Sequence, residues 1–237
     1  MNKLPVVFAC AHLCNEALFA AQVRIVTDVA ESMTVAFRTQ STIKAMAIHL
    51  LSIAPPRFIL AGLSLGGYVA FEVLRQAPER VAGLALMDTR ADADDPTRAA
   101  NRQRDIDTVA RGGIEALIPE LPARWMHPTS AANAAICETL GAMARDIGAI
   151  GQRNQQHAML ARSDAFDVLR AVNVPTLILC GRQDMATPLS EHEKMHAAIT
   201  NSELHVIENC GHLSTIEQPE AVSAVLRNWL INTTFSI

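Results

Sequence analysis

Six short apolar runs, near 5–10, 24–28, 57–61, 81–87, 175–180 and 203–207, are bounded by turn residues and separated by stretches with a helical period. Strands and helices alternating in this way predict an α/β fold: a mostly parallel sheet of about six strands flanked by helices and built from right-handed crossovers. Helices are expected near 15–22, 41–53, 65–77, 189–199 and 215–231. In the last of these, Ser214 with Glu217 three residues on reads as a capping box, and Pro219 falls where a first helical turn tolerates proline. The alternation stops between 90 and 170. From ADADDPTRAANRQRDIDTVARGG to AMLARSDAFDVLRAV the pattern stays helical without a convincing strand, which divides the chain into a core, 1–89 and 171–237, and a helical insertion, 90–170. An insertion that leaves and rejoins the strand ends of an α/β sheet lies over the crevice where such sheets bind ligands. Trp125, Met126, Met143 and Met159 are candidates for lining a substrate pocket there, and each also reads as part of the insertion's own core.

Composition narrows the class. The chain has 237 residues, half of them hydrophobic and 19% charged, with a formal net charge of −4. That balance argues against disorder and against a nucleic-acid footprint, and for a soluble protein with a small-molecule ligand. No apolar stretch approaches membrane-spanning length. Cysteines 10, 14, 137, 180 and 210 are too few and irregular for a disulfide framework and include no C-x-x-C pair, so a reducing, cytoplasmic location is expected. The opening MNKLPVVFACAHLC faintly mimics a signal peptide, but Pro5 interrupts its short apolar run, and a buried strand is the better reading.

The candidate chemistry sits in FILAGLSLGGYVAFEVL, residues 58–74. Gly62-Leu63-Ser64-Leu65-Gly66 fits G-x-S-x-G between an apolar strand and an apolar-periodic helix. A serine on so sharp a turn takes strained backbone angles, and its flanks approach neighbouring backbone closely enough to require glycine. The turn also leaves the Leu65 amide at a helix N-terminus, where an oxyanion is favoured. A phosphate-binding loop fails, because no Lys-Ser/Thr follows and the G-x-G-x-x-G spacing is absent. A purely structural turn is the remaining alternative.

A serine hydroxyl needs a base to take its proton and an acid to orient that base. CGRQDMATP, after the fifth strand, places Asp184 in a loop at a strand's carboxyl end, and ENCGHLSTIEQPE, after the sixth, places His212 before the last helix. The order Ser64, Asp184, His212 is the one required when these loops meet at one end of the sheet. Taken singly, Asp184 also reads as a turn or capping residue and His212 as a loop histidine.

On these three motifs, GLSLGGYVAFEVLRQAPERVAGLALMDT, VPTLILCGRQDMATP and IENCGHLSTIEQPEAV, the chain resembles the α/β-hydrolase family, specifically its compact esterase-like members with a helical cap. The resemblance implies Ser64 as nucleophile, His212 as general base and then acid, Asp184 as orienting acid and the Leu65 N–H as one oxyanion donor. It identifies Val6-Val7-Phe8 as the family's third strand, so its first two strands are missing. In Cys10-Ala11-His12-Leu13-Cys14, Ala11 stands where the family often has glycine, and His12 is the second backbone donor, with Leu13 as fallback and possible pocket residue. The His12 side chain is expected to fill the pocket wall. Asp88, ending VAGLALMD, is an alternative acid or a brace for the insertion's entry. The implied activity is cleavage of a carboxylic ester or related acyl substrate through an acyl-enzyme, with no cofactor and no metal. Acyl transfer and hydrolytic C–C cleavage use the same three residues, and a non-catalytic binding or sensing role on the same scaffold is the alternative of another class.

Two further motifs stand outside this reading. His192-Glu193-Lys194-Met195-His196 matches the zinc pattern H-E-x-x-H, but no third ligand is evident and a solvated helix face is the simpler account. Asn232-Thr233-Thr234 matches the N-glycosylation pattern and is assigned no role.

Overall fold

The computed structural model describes residues 4–235. Its sheet contains β1 Val6–Ala9, β2 Ser32–Val35, β3 Phe58–Leu63, β4 Val81–Met87, β5 Thr176–Gly181 and β6 Ser202–Ile207. Their order is β2-β1-β3-β4-β5-β6 and every pairing is parallel. The four inner strands are buried along their whole length. Both faces are covered by helices, which is why these strands read as unbroken apolar runs. Alternate residues divide between two cores: Val6, Phe8, Ile59 and Ala61 face one layer, and Val7, Ala9, Phe58 and Leu60 face the other.

The helices are α1 Ala20–Val26, α2 Ile43–Ile53, α3 Leu65–Gln76, α4 Pro96–Gly112, α5 Leu121–Trp125, α6 Pro128–Ala131, α7 Ala134–Leu160, α8 Phe166–Ala171, α9 Leu189–Ala198, α10 Ser214–Glu217 and α11 Pro219–Asn232. Helices α4 to α8 all lie between β4 and β5, and no strand forms there among the described residues. Gly148, at φ 67°, breaks α7 into two. No helix among the described residues is long and apolar enough to cross a membrane.

Two local expectations are corrected. Residues 24–28 are not a strand: VRIV ends α1, with Val26 buried, Val23 packed beside the core and Ile25 turned outward. Those valines are spaced for one helical face, and that outweighs β-branching. The strand is instead Ser32–Val35, an edge strand with only Val35 buried, too short and too polar to show a period. The capping box at Ser214 and Glu217 also does not form. Ser214 Oγ donates to Asp88, and the Glu217 carboxylate accepts from the backbone N–H groups of Gly211, Leu213 and His127. The chain breaks at Gln218, and α11 starts afresh at Pro219.

Candidate active site

β3 passes into α3 through Ser64, whose φ of 52° and ψ of −109° lie where side chains other than glycine are strained. The turn is held by close packing. A Cβ on Gly62 would come within 2.4 Å of the Gly66 carbonyl oxygen, and one on Gly66 within 2.0 Å of the Ala9 carbonyl oxygen. Gly66→Ala therefore has to push α3 off β1. It is expected to lower the unfolding free energy by roughly 3 kcal/mol or more, read from the urea midpoint at unchanged slope.

The carboxyl ends of β5 and β6 bring two loops to the same point. Ser64 Oγ lies 2.9 Å from His212 Nε2, and His212 Nδ1 lies 2.8 Å from Asp184 Oδ2. With Nδ1–H donating to the carboxylate, Nε2 is left free to accept from the serine. Asp184 is in turn fixed by the N–H groups of Ala186 and Thr187, at 2.8 and 2.9 Å, and by the Thr187 hydroxyl at 2.7 Å. The His212 loop is pinned from outside by a 2.6 Å bond from its N–H to the Trp125 carbonyl. Burial opposes the His212 charge, but the Asp184 carboxylate outweighs it and lifts the imidazole pKa above its ordinary value. Burial likewise opposes the Asp184 charge, and the facing imidazole and the Thr187 donors hold its pKa below the usual carboxylate range.

Asp88 is not placed against the imidazole. It is fully buried, accepts from Gly181 N–H at 3.0 Å and from Ser214, and so ties the end of β5 to the segment after His212. Burial, reinforced by nearby Asp184, raises its pKa to about 8.

The loop after β1 is shaped by a residue that the sequence did not single out. Gln155 Oε1, from α7, accepts from Leu13 N–H at 2.9 Å and from His12 Nδ1 at 2.7 Å, while its amide donates to the Phe37 carbonyl. This pins Leu13 at φ 57° and commits its amide. The His12 N–H has no protein acceptor among the described residues. Burial, and then Arg102, depress the His12 pKa to about 3, so this imidazole is a neutral wall.

A cavity of about 80 Å3 lies over Ser64, and His12, Trp125 and Met159 line it. It adjoins a cleft of about 460 Å3 that shares Arg98, Arg102 and Trp125. The expectation for Leu13, Met126 and Met143 is corrected: all three are buried in the apolar core and line neither space, because their neighbours close over them. Gln155 sits in the polar run QRNQQH, which on sequence reads as a solvated helix face. That position carries no local signal for the site.

The H-E-x-x-H pair also differs from the simple helix-face account. His192 is fully buried, with Nε2 accepting from Thr89 N–H at 3.0 Å and Nδ1 facing the Pro188 carbonyl. His196 faces Ser202 instead. Among the described residues no group of three His, Cys, Asp or Glu side chains is arranged to hold a metal.

Comparison with known proteins agrees with this architecture. The alpha/beta hydrolase fold family matches over residues 32–219. A 3-oxoadipate enol-lactonase 2 from Acinetobacter baylyi is 26% identical over 179 residues, covering 73% of this chain and 65% of its own length. The chain thus spans slightly under two thirds of the first curated relatives that it matches. Among solved structures, an esterase from Thermogutta terrifontis, determined with malate bound, superposes with a TM-score of 0.86 at 31% identity, covering 97% of this chain and 90% of the other. An enol-lactonase from Burkholderia xenovorans superposes with a TM-score of 0.86 over 98% and 93% of the two chains; at 19% identity it speaks to the fold.

Proposed function

Because the chain belongs to the α/β-hydrolase fold family, we propose that it is a serine hydrolase cleaving a carboxylic ester or a related acyl compound such as a lactone. The observation that carries this reading is the unbroken hydrogen-bonded chain from Ser64 through His212 to Asp184 beneath a cavity. Ser64 Oγ attacks the carbonyl while His212 Nε2 takes its proton, and Asp184 stabilises the imidazolium. The Leu65 and His12 N–H groups hold the tetrahedral oxyanion. Leu65 opens α3, where an N–H has no intrahelical acceptor. His12 is preferred to Leu13 because the Leu13 amide already donates to Gln155. His212 then protonates the leaving alkoxide, and a water that it deprotonates releases the acid and restores Ser64. Helices α4 to α8 serve as the cap over this step. A cytoplasmic location belongs to the same proposal and rests on the five free cysteines.

A fluorophosphonate probe tests the reading. One adduct is expected, on Ser64, formed in step with loss of short-chain ester turnover. Folded protein that neither turns over esters nor labels at Ser64 overturns it.

A further inference from the structure

The turn that carries His12 is closed by Cys14 N–H donating to the Ala11 carbonyl at 3.2 Å, and Leu13, at φ 57°, occupies its third position. Positive φ there favours glycine or asparagine, so a leucine needs support from outside the turn. That support comes from the insertion. Gln155 is fully buried, and its one side-chain oxygen accepts from Leu13 N–H at 2.9 Å and from His12 Nδ1 at 2.7 Å. A single atom thus fixes both the imidazole of residue 12 and the peptide that follows it.

The amide can face only one way, because the Leu13 N–H must find an acceptor and the Phe37 carbonyl, 2.6 Å from Nε2, must find a donor. Nδ1 of His12 therefore carries the proton, and its Nε2 accepts from the Gln156 amide at 3.3 Å. Gln155 lies on the part of α7 that follows the Gly148 break, and that part is docked on the core. Asn154 Nδ2 donates to the Thr39 carbonyl at 3.2 Å, and a Cβ on Gly151 would come within 3.3 Å of the Arg38 carbonyl oxygen. Gln155 itself lines neither the cavity over Ser64 nor the adjoining cleft, so it acts through His12.

We propose that Gln155 is a positioning residue for the reaction: it holds the His12 N–H where the oxyanion forms, so that one half of the oxyanion hole is set by the insertion and not by the sheet. This inference rests on Ser64 as nucleophile and the His12 N–H as second donor.

Gln155→Met, similar in volume but without the amide oxygen, is expected to lower kcat for a short-chain ester by about 10- to 100-fold while KM changes less than about threefold, since a displaced donor weakens the oxyanion far more than the ground-state carbonyl. Trifluoroacetone reads the same loss without turnover. Ser64 Oγ adds to its carbonyl carbon, the carbonyl π pair moves to oxygen, His212 Nε2 takes the serine proton, and the hemiketal oxyanion occupies the hole. Its Kd should rise by the factor by which kcat/KM falls. Gln155→Glu keeps an oxygen for Leu13 and His12 and is expected to recover most of the loss. Asn154→Ala, which loosens α7 against Thr39 without touching the His12 turn, is the control, with a lower melting temperature and kcat within about twofold of wild type. If Gln155→Met does not fold, Gln155→Asn, whose amide stops one bond short, carries the same expectation. A Gln155 variant that loses stability but keeps wild-type kcat and trifluoroacetone affinity, or whose loss falls in KM alone, overturns the positioning role. Wild-type protein that neither turns over esters nor labels at Ser64 overturns the hydrolase reading and this inference with it.

Discussion

Ser64→Ala is expected to lower kcat/KM for a short-chain ester by about 10^4- to 10^6-fold, with His212→Ala falling in the same range and the double variant no lower than the worse single one. Residues that act as one unit lose the same chemistry whichever is removed, and what survives comes from binding and oxyanion stabilisation. No other hydroxyl in the cavity can substitute. Thr187 is bonded to Asp184 and faces His212 on its Nδ1 side, away from the nitrogen that accepts a proton. Tyr68 lies under the guanidinium of Arg162, 4.0 Å from its ring centre. Active-site titration and kcat/KM check the result. An unchanged melting temperature is the control for Ser64→Ala, since alanine at φ 52° keeps the same backbone strain.

Much of this site was legible because its chemistry is tied to strand ends. A buried parallel strand announces itself as an apolar run, and the loop that follows must carry whatever the site uses, so Ser64, Asp184 and His212 could be located from pattern and order. What could not be read depends on tertiary partners. SMTV becomes β2 only because β1 offers it an edge to pair with, and VRIV becomes helix only because Val23 and Val26 find one core. Gln155 looks like one polar helix residue among several until α7 is laid across the loop after β1. Local patterning fixes elements, whereas the direction in which a buried polar atom faces is a property of the assembled structure.

Asp184→Asn and Asp88→Asn, each replacing a buried carboxylate next to the same loops, are expected to differ by about a thousandfold. At Asp184, Oδ1 accepts the two backbone N–H groups of Ala186 and Thr187, so an asparagine keeps its carbonyl there and turns its NH2 toward His212. The imidazole must then accept at Nδ1 and carry its proton on Nε2, the tautomer that cannot deprotonate Ser64. Rate losses of about 10^3- to 10^4-fold follow from that inversion. The remaining activity should also titrate differently. The Asp184 carboxylate raises the His212 pKa above 6.5, so wild-type kcat/KM falls as pH drops through that raised value, and the inflection moves lower in Asp184→Asn. Asp88, by contrast, has a pKa of about 8 and is mostly protonated at neutral pH, so an amide reproduces its charge. Its bonds to Gly181 and Ser214 place it as a brace, and Asp88→Asn is expected to keep kcat/KM within about tenfold of wild type. Its signature is in stability. A carboxyl whose pKa is raised on folding binds its proton more tightly in the native state, so its contribution is complete below about pH 4 and is lost as pH rises toward 8. Urea unfolding at pH 5 and pH 8 should therefore show Asp88→Asn gaining on wild type at the higher pH, while loss of ester turnover in Asp88→Asn with full rate in Asp184→Asn would exchange the roles of the two carboxylates.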